Sequence, residues 1–255
     1  MKTALITGAS NGIGLELAKI FAREKINLIL VARNEQKLNE LAKELAENGI
    51  EITIITKDLS ITKNAEELYN ELKSKGLAID FLVNNAGFGL RGNITETDWQ
   101  RELEMLTLNI VSLTYLSKKV AGDMRAAGNG RILNIGSTAS FQPGPFMAVY
   151  CATKAYVLSF SEAINFELKG TGVSVTTLCP GVTETGFHVV AKTEGSGMLK
   201  SMSMASAEDV AKYGYKIMMK GKSMGVYGFV NKIMVSSVRF TPRSIVMGIA
   251  AKLLR

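Results

Sequence analysis

The stretch Thr7-Gly8-Ala9-Ser10-Asn11-Gly12-Ile13-Gly14 decides how this chain reads. An apolar run, Thr3 to Thr7, leads into it, and a helical pattern with Ile13, Leu17, Ile20 and Phe21 on one face follows. Glycines at 8, 12 and 14 permit a tight turn and let backbone amides come close to an anion, which the N-terminus of a helix also favours. The turn therefore reads as a cradle for a diphosphate, with Ser10, Asn11 and Ile13 between and beside the glycines. Its spacing is G-x-x-x-G-x-G, not the G-x-G-x-x-G of many nucleotide-binding turns.

The same alternation of strand and helix continues along the chain. Thr3 to Thr7, Asn27 to Ala32, Glu51 to Thr56, Asp80 to Asn84, Arg131 to Gly136 and Val173 to Leu178 are rich in β-branched residues and read as strands. A short last strand is expected near Gly225 to Tyr227, after a helix from about Ala207 to Lys220. Near-continuous apolarity, as in Leu28-Ile29-Leu30-Val31, suits parallel strands covered on both faces. Leu38, Leu41 and Leu45 share one helical face. The fold class is α/β, with right-handed crossovers and a doubly wound parallel sheet of about seven strands with helices on both faces.

Bulk properties agree with one domain spanning 1–255. Four prolines, no Ser/Gly-rich run and no internal repeat leave no linker. Cys151 and Cys179 make neither a disulfide framework nor zinc spacing, so no metal is expected. Cys151 reads as a small packing residue, with alkylation as the alternative. With a first strand starting at Lys2 no signal peptide is expected, and no apolar run approaches the roughly 20 residues of a membrane span. A cytoplasmic location is the expectation.

Net charge is +7, yet residues 210–255 hold nine Lys/Arg and no Asp/Glu. Interleaved with them are Ile233, Met234, Val235, Val238, Phe240, Ile245, Val246, Ile249 and Leu253. This basic C-terminal part is expected to be a solvated cationic face over ordinary core residues, with contact to a membrane surface as the alternative. Nucleic acid is not expected, since no recognised binding motif accompanies the charge.

Tyr150 and Lys154, four residues apart, share one face of a helix, and Ser137 lies thirteen residues upstream of the tyrosine. A neighbouring ammonium favours the phenolate and is expected to lower the phenol pKa from about 10, which suits proton transfer at a carbonyl or alcohol. At the end of the second strand, Val31-Ala32-Arg33-Asn34 holds no acid where NAD-specific sites place one roughly 20 residues beyond the glycines. Arg33 instead matches a 2′-phosphate, so NADP(H) is preferred over NAD(H). Asp58, with Leu59 beside it, is placed to accept from an adenine amino group. Asn84-Asn85-Ala86-Gly87 suits a turn where the sheet's carboxyl edge meets the cofactor.

Together these residues resemble the short-chain dehydrogenase/reductase family, from Thr3 to about Phe187. The elements occur in order: the glycine turn, Asp58, Asn84-Asn85-Ala86-Gly87, Asn109, Ser137, Tyr150-x-x-x-Lys154 and Pro180-Gly181. Thr183 and Thr185 follow; the family commonly has Val or Ile at the first of these. Arg33 and the tail Pro242-Arg243 resemble an NADP-linked reductase branch.

The resemblance implies a single Rossmann domain and a catalytic set of Asn109, Ser137, Tyr150 and Lys154. Tyr150 would be the acid/base, and Lys154 would tune it and bind the nicotinamide ribose. Ser137 would hold the substrate oxygen, and Asn109 a water of a proton relay. Asn85, Ala86, Gly87, Pro180, Gly181, Thr183 and Thr185 would line the cofactor.

Residues 184–205 fall where the family has a substrate lid, here with Phe187, Val189, Val190, Met198, Leu199, Met202 and Met204, which suits a lipophilic substrate. His188, the only histidine, reads as a lid surface residue. Phe88, Gly89, Phe141, Gln142, Gly144 and Phe146 are candidates for the pocket mouth, and Trp99 for helix packing. The resemblance also implies a homodimer or homotetramer through the helices containing Asn109 and Tyr150. The leading expectation is a carbonyl reductase or alcohol dehydrogenase acting on a small-molecule carbonyl or alcohol. Alternatives are a 3-oxoacyl-thioester reductase meeting an acidic carrier, and an NADPH-binding sensor with little catalysis.

Overall fold

Seven parallel strands form the centre of the computed structural model, which describes residues 1–187, 191 and 204–254. They are β1 (Thr3–Thr7), β2 (Asn27–Ala32), β3 (Ile52–Thr56), β4 (Phe81–Asn84), β5 (Gly130–Ile135), β6 (Val173–Cys179) and β7 (Met224–Val226). Every expected strand is present, and no end moves by more than one residue. Their continuous apolarity has a simple cause: alternate side chains serve two different cores. Ala4 and Ile6 of β1 pack with Leu17 and Phe21 below one face. Leu5, between them, packs with Leu68, Leu72 and Val120 on the other.

Helices α1 (Gly12–Arg23) and α2 (Glu35–Ala46), together with α7 (Ala207–Met219), cover the first face. On the second lie α3 (Asn64–Ser74) and α5 (Leu113–Ala127). Phe21 anchors the first core, edge-on to Tyr215 at 5.2 Å and tilted against Phe81 at 5.4 Å. Phe21→Ala would cost about 3–5 kcal/mol of stability.

The strand order, β3-β2-β1-β4-β5-β6-β7, reverses direction between β1 and β4. Helices leaving these two strands for opposite faces open a crevice at their carboxyl ends, and that crevice positions the site. Behind it, a buried amide–hydroxyl chain fixes the strand ends. Asn84 Nδ2 donates to Asn134 Oδ1 and Ser117 Oγ, both at 2.9 Å, and Asn134 Nδ2 donates to Ser161 Oγ at 2.9 Å. Such a network is stable in a dry interior because each member has a partner.

Between α4 (Trp99–Leu106) and α5, residues Thr107–Ser112 form a π turn within the helix that the resemblance implied around Asn109. Trp99 corrects another expectation: at the start of α4, whose inward positions are Glu102 and Met105, it is largely exposed.

Past β7, α8 (Phe229–Ser237) and α9 (Arg243–Leu254) close the chain, α8 against the short 3-10 turn Thr138–Phe141. The expected core under the basic part is only partly there. Val235, Val246, Ala250 and Leu254 are buried, whereas Ile233, Phe240, Ile245 and Ile249 face outward. These helices have passed the last strand, so each is covered on one side alone. His188, Val189, Val190, Met198, Leu199 and Met202 lie outside the described residues.

Candidate active site

The glycine turn is held open by backbone geometry and braced from β4. Gly8 and Gly12 have φ of +67° and +55°, left-handed values that an L side chain adopts only with strain. A Cβ on Gly12 would also sit 2.7 Å from Thr185 Cγ2. Asn11 Oδ1 accepts from Gly12 N at 2.8 Å and starts α1. Asn85 Nδ2 donates to the carbonyls of Thr7 and Gly8, both at 3.0 Å. Thr7 Oγ1 accepts from the amides of Asn85 and Ala86, both at 3.1 Å. Gly14 is absent from the cleft wall, and a Cβ there would strike Gly8 O and the Asn85 amide, so it permits close packing.

Gly8, Ser10, Asn11, Gly12 and Ile13 line the cleft, which continues past Arg33, Asn34, Asp58 and Leu59 at the ends of β2 and β3. Arg33 is exposed and makes a loose ion pair with Asp58 Oδ2 at 3.8 Å. A pair so exposed is weak, so the guanidinium is free to turn to a better anion at little cost. Asp58 Oδ1 is engaged by the amide and hydroxyl of Ser60, at 2.9 and 2.7 Å. Asn34 caps α2 by accepting from Lys37 N at 2.9 Å. Lys37 and Lys57 stand on the same wall, two cations that the sequence reading missed. The available signal for Lys37 was its place in the first turn of α2, four residues after Arg33.

The cleft runs on to Ser137, Tyr150 and Lys154. Ser137 precedes the 3-10 turn at the end of β5, and the other two sit in α6 (Ala148–Glu167). Tyr150 and Lys154 are nearly enclosed, 8% and 7% exposed. Lys154 Nζ donates to Ile135 O at 2.8 Å and stands 5.8 Å from the Tyr150 ring centre. Burial pushes the Tyr150 phenol above its ordinary range, and a hydrogen bond from Ser137 pulls it part of the way back. The expected lowering of this pKa is therefore not what the cleft produces, because desolvation outweighs every other influence. The same burial lowers Lys154 from 10.5 to about 8.

Asn109 lies behind the wall, in the π turn, and is buried. Its Nδ2 donates to Phe88 O at 3.0 Å and Thr153 Oγ1 at 3.1 Å, and its Oδ1 accepts from Phe88 N at 3.2 Å. It clamps the strand-end segment beside Gly87, where a Cβ would lie 2.9 Å from Asn109 Oδ1 and 3.6 Å from Lys154 Nζ. Ala86, Gly87, Asn85, Pro180, Gly181, Thr183 and Thr185 all line the cleft.

Beyond Tyr150 the wall turns apolar, with Phe88, Met147, Cys151 and Phe187, and the cleft totals about 460 Å³. Phe187 tilts over the Tyr150 ring at 5.3 Å. Gln142 and Gly144 are on the wall as expected. Phe141 is not, since it packs with Leu158, Cys179, Val226 and Val235 instead. Gly89 and Phe146 are also off the wall; a Cβ on Gly89 would lie 2.7 Å from Phe187 Cζ. The Cys151 thiol is raised to about 11 by burial, so it is not a reactive thiolate. Met234, Ala250, Leu253 and Leu254 complete the apolar end, from a segment whose apolar residues were expected to be ordinary core and not part of the site. The four-residue spacing of Val246, Ala250 and Leu254 was the legible sign that α9 turns one face inward.

No cluster of three or more metal-ligating side chains occurs among the described residues, and no helix among them is long and apolar enough to cross a membrane. The family profile of the short chain dehydrogenases matches residues 2–194. Ketoacyl reductase HetN of Nostoc sp. is 30% identical over 210 residues, 81% of this chain and 73% of that one. A short-chain dehydrogenase from Sphingobium yanoikuyae, solved in complex with NADPH, superposes with a TM-score of 0.84 at 29% identity over 94% of both chains. The bulky-bulky ketone specific alcohol dehydrogenase from Comamonas testosteroni superposes with a TM-score of 0.79 at 29% identity, over 94% of this chain and 92% of that one.

Proposed function

The chain belongs to the short-chain dehydrogenase family and is an NADP(H)-dependent oxidoreductase, and from that premise we propose that Ser137, Tyr150, Lys154 and Asn109 serve carbonyl–alcohol interconversion on a lipophilic substrate. The observation that carries this reading is a single cleft running from the left-handed glycine turn to the Ser137–Tyr150–Lys154 cluster. Gly8, Ser10, Asn11, Gly12 and Ile13 would hold the diphosphate, and Arg33, with Lys37, the 2′-phosphate. Asp58 and Leu59 would meet the adenine. Asn85 to Gly87, Pro180, Gly181, Thr183 and Thr185 would meet the nicotinamide end. Bound NADPH supplies the hydride for the carbonyl carbon.

Everything else falls to the chain's own groups. Tyr150 keeps its proton in the dry cleft and gives it to the carbonyl oxygen, which Ser137 holds by a hydrogen bond. Lys154, lowered to about 8, exchanges protons near neutral pH and reprotonates the tyrosine. Asn109 keeps Gly87 and Phe88 fixed beside Lys154. The apolar end formed by Phe88, Met147, Phe187 and Leu254 excludes water and suits a hydrophobic ketone or aldehyde. A screen of carbonyl compounds following NADPH oxidation tests this, with Tyr150→Phe as control. No turnover on any compound, with NADPH bound tightly, would make the protein a nucleotide-binding sensor.

A 3-oxoacyl-thioester reductase is the second reading, supported by the ketoacyl reductase relative and the basic C-terminal part. It requires carrier-linked activity that falls steeply with salt. Exposed Trp99, Leu103, Val111, Tyr156 and Phe166 support a homo-oligomer through α4 to α6. Two free thiols and the need for NADPH support a cytoplasmic location. The fold serves as one domain; most of the expected lid, 188–190 and 192–203, lies outside the described residues.

A further inference from the structure

Helices α8 and α9 leave a row of large apolar side chains uncovered. In α8, Phe229, Val230 and Ile233 turn outward while Val235 is buried, and Phe229 is 77% exposed. Phe240, just beyond, is 88% exposed. α9 buries Val246, Ala250 and Leu254 and turns out Ile245 and Ile249, each series spaced by four residues. One exposed apolar side chain is ordinary, but a succession of them along two helices marks an interaction surface.

The charges beside these residues say what the surface fits. Arg239, Arg243 and Lys252 are exposed, and no salt bridge among the described residues engages them. Residues 210–255 contain no Asp or Glu at all. A second copy meeting this face across a two-fold axis would set these cations against one another, with no Asp or Glu of residues 210–255 between them. A layer of lipid phosphates has the complementary charge, and its acyl boundary accepts Phe, Ile and Val.

We propose that α8 and α9 dock this protein on the surface of an anionic lipid bilayer. Phe229, Ile233, Phe240, Ile245 and Ile249 enter the headgroup–acyl boundary, and Arg239, Arg243 and Lys252 meet lipid phosphates. Neither helix is built to span, so the protein lies on the membrane. The inward faces of the same helices supply Met234, Ala250, Leu253 and Leu254 to the apolar end of the cleft. Arg91 Nε, donating to Leu254 O at 2.6 Å, moors α9 there. Docking therefore brings the substrate end of the cleft to the bilayer, from which a membrane-dissolved carbonyl compound enters. That last consequence rests on the oxidoreductase reading; the docking does not.

The test is flotation of the full chain with phosphatidylcholine vesicles and with vesicles enriched in phosphatidylglycerol. The chain floats with the anionic vesicles at low salt and is released as salt rises. A Phe229→Ser/Ile233→Ser/Phe240→Ser variant and an Arg239→Glu/Arg243→Glu variant each bind NADPH as the parent does, which reports an intact fold. Each loses about tenfold or more of the vesicle-bound fraction. A parent chain that stays with neither vesicle, or variants that float as well as the parent, would overturn the proposal. So would a serine variant that, without lipid, falls to a smaller particle by light scattering, since the face would then join two copies. Flotation needs no turnover, so an enzyme inactive on every carbonyl still answers this question separately.

Discussion

At β1 and α1 each apolar side chain meets cover on whichever face it points to, Ala4 and Ile6 on one side of the sheet and Leu5 on the other. At α8 and α9 the same residue types occur at the same spacing, yet half of them stay in water. The difference is position relative to the sheet. A helix beside strands is buried by its neighbours on both flanks, whereas one past β7 has a single wall to lean on. The nucleotide end is thus committed to one rigid shape, and the C-terminal end keeps a free face for a partner.

Perturbing each region separately shows how far this division holds. The largest effect belongs to Tyr150→Phe, which lowers turnover by about 10²–10⁴-fold while NADPH affinity changes only a few-fold. Turnover surviving at a tenth of the parent rate would remove Tyr150 from the acid/base role.

Stability against pH probes the same buried corner. Below pH 8 both the folded and the unfolded chain hold the Lys154 proton. Between about 8 and 10.5 the unfolded chain holds more, so Lys154 makes stability rise with pH, by up to about 3 kcal/mol. Tyr150 acts oppositely, above pH 10, where the unfolded chain releases a phenol proton that the native chain keeps. Urea midpoints of the parent and Lys154→Met should diverge across that window; parallel curves would show that the ammonium is not desolvated.

Arg33→Ala should weaken NADPH binding by about tenfold to a hundredfold and leave NADH nearly unchanged, the value of a charge-assisted contact. An equal loss for both dinucleotides would make the arginine a bystander. Gly12→Val should raise the NADPH Kd by about tenfold, through its left-handed φ and the Thr185 methyl. Calorimetric titration settles both. The smallest effect tests the other region: Phe240→Ser should change unfolding free energy by less than about 0.5 kcal/mol. A larger loss would mean that this side chain is covered after all and that the two ends are built alike.

Much of this architecture was legible because parallel strands advertise themselves. Runs such as Leu28-Ile29-Leu30-Val31 have no other comfortable place, and the glycine turn is demanded by its dihedral angles. Other features turn on quantities that a linear pattern does not carry. The π turn at Thr107–Ser112 depends on a shifted hydrogen-bond ladder, with no marker residue. Composition showed apolar residues between the charges of the C-terminal part but not which of them have cover, so Phe240 and Ile249 were expected in the core. Proximity of Lys154 to Tyr150 suggested a lowered phenol pKa, while the sign was decided by burial. The third glycine of such turns commonly serves close packing of helix on strand, and the contacts a Cβ on Gly14 would make agree.

Asn85 carries a kinetic consequence. Its amide grips the carbonyls of two consecutive residues at the end of the adjacent strand β1, so the glycine turn is braced without any ligand. Association then involves no folding of the loop, and little configurational freedom is surrendered there. Encounter should be governed by diffusion and orientation, with a rate that rises linearly with dinucleotide concentration and shows no slow unimolecular phase.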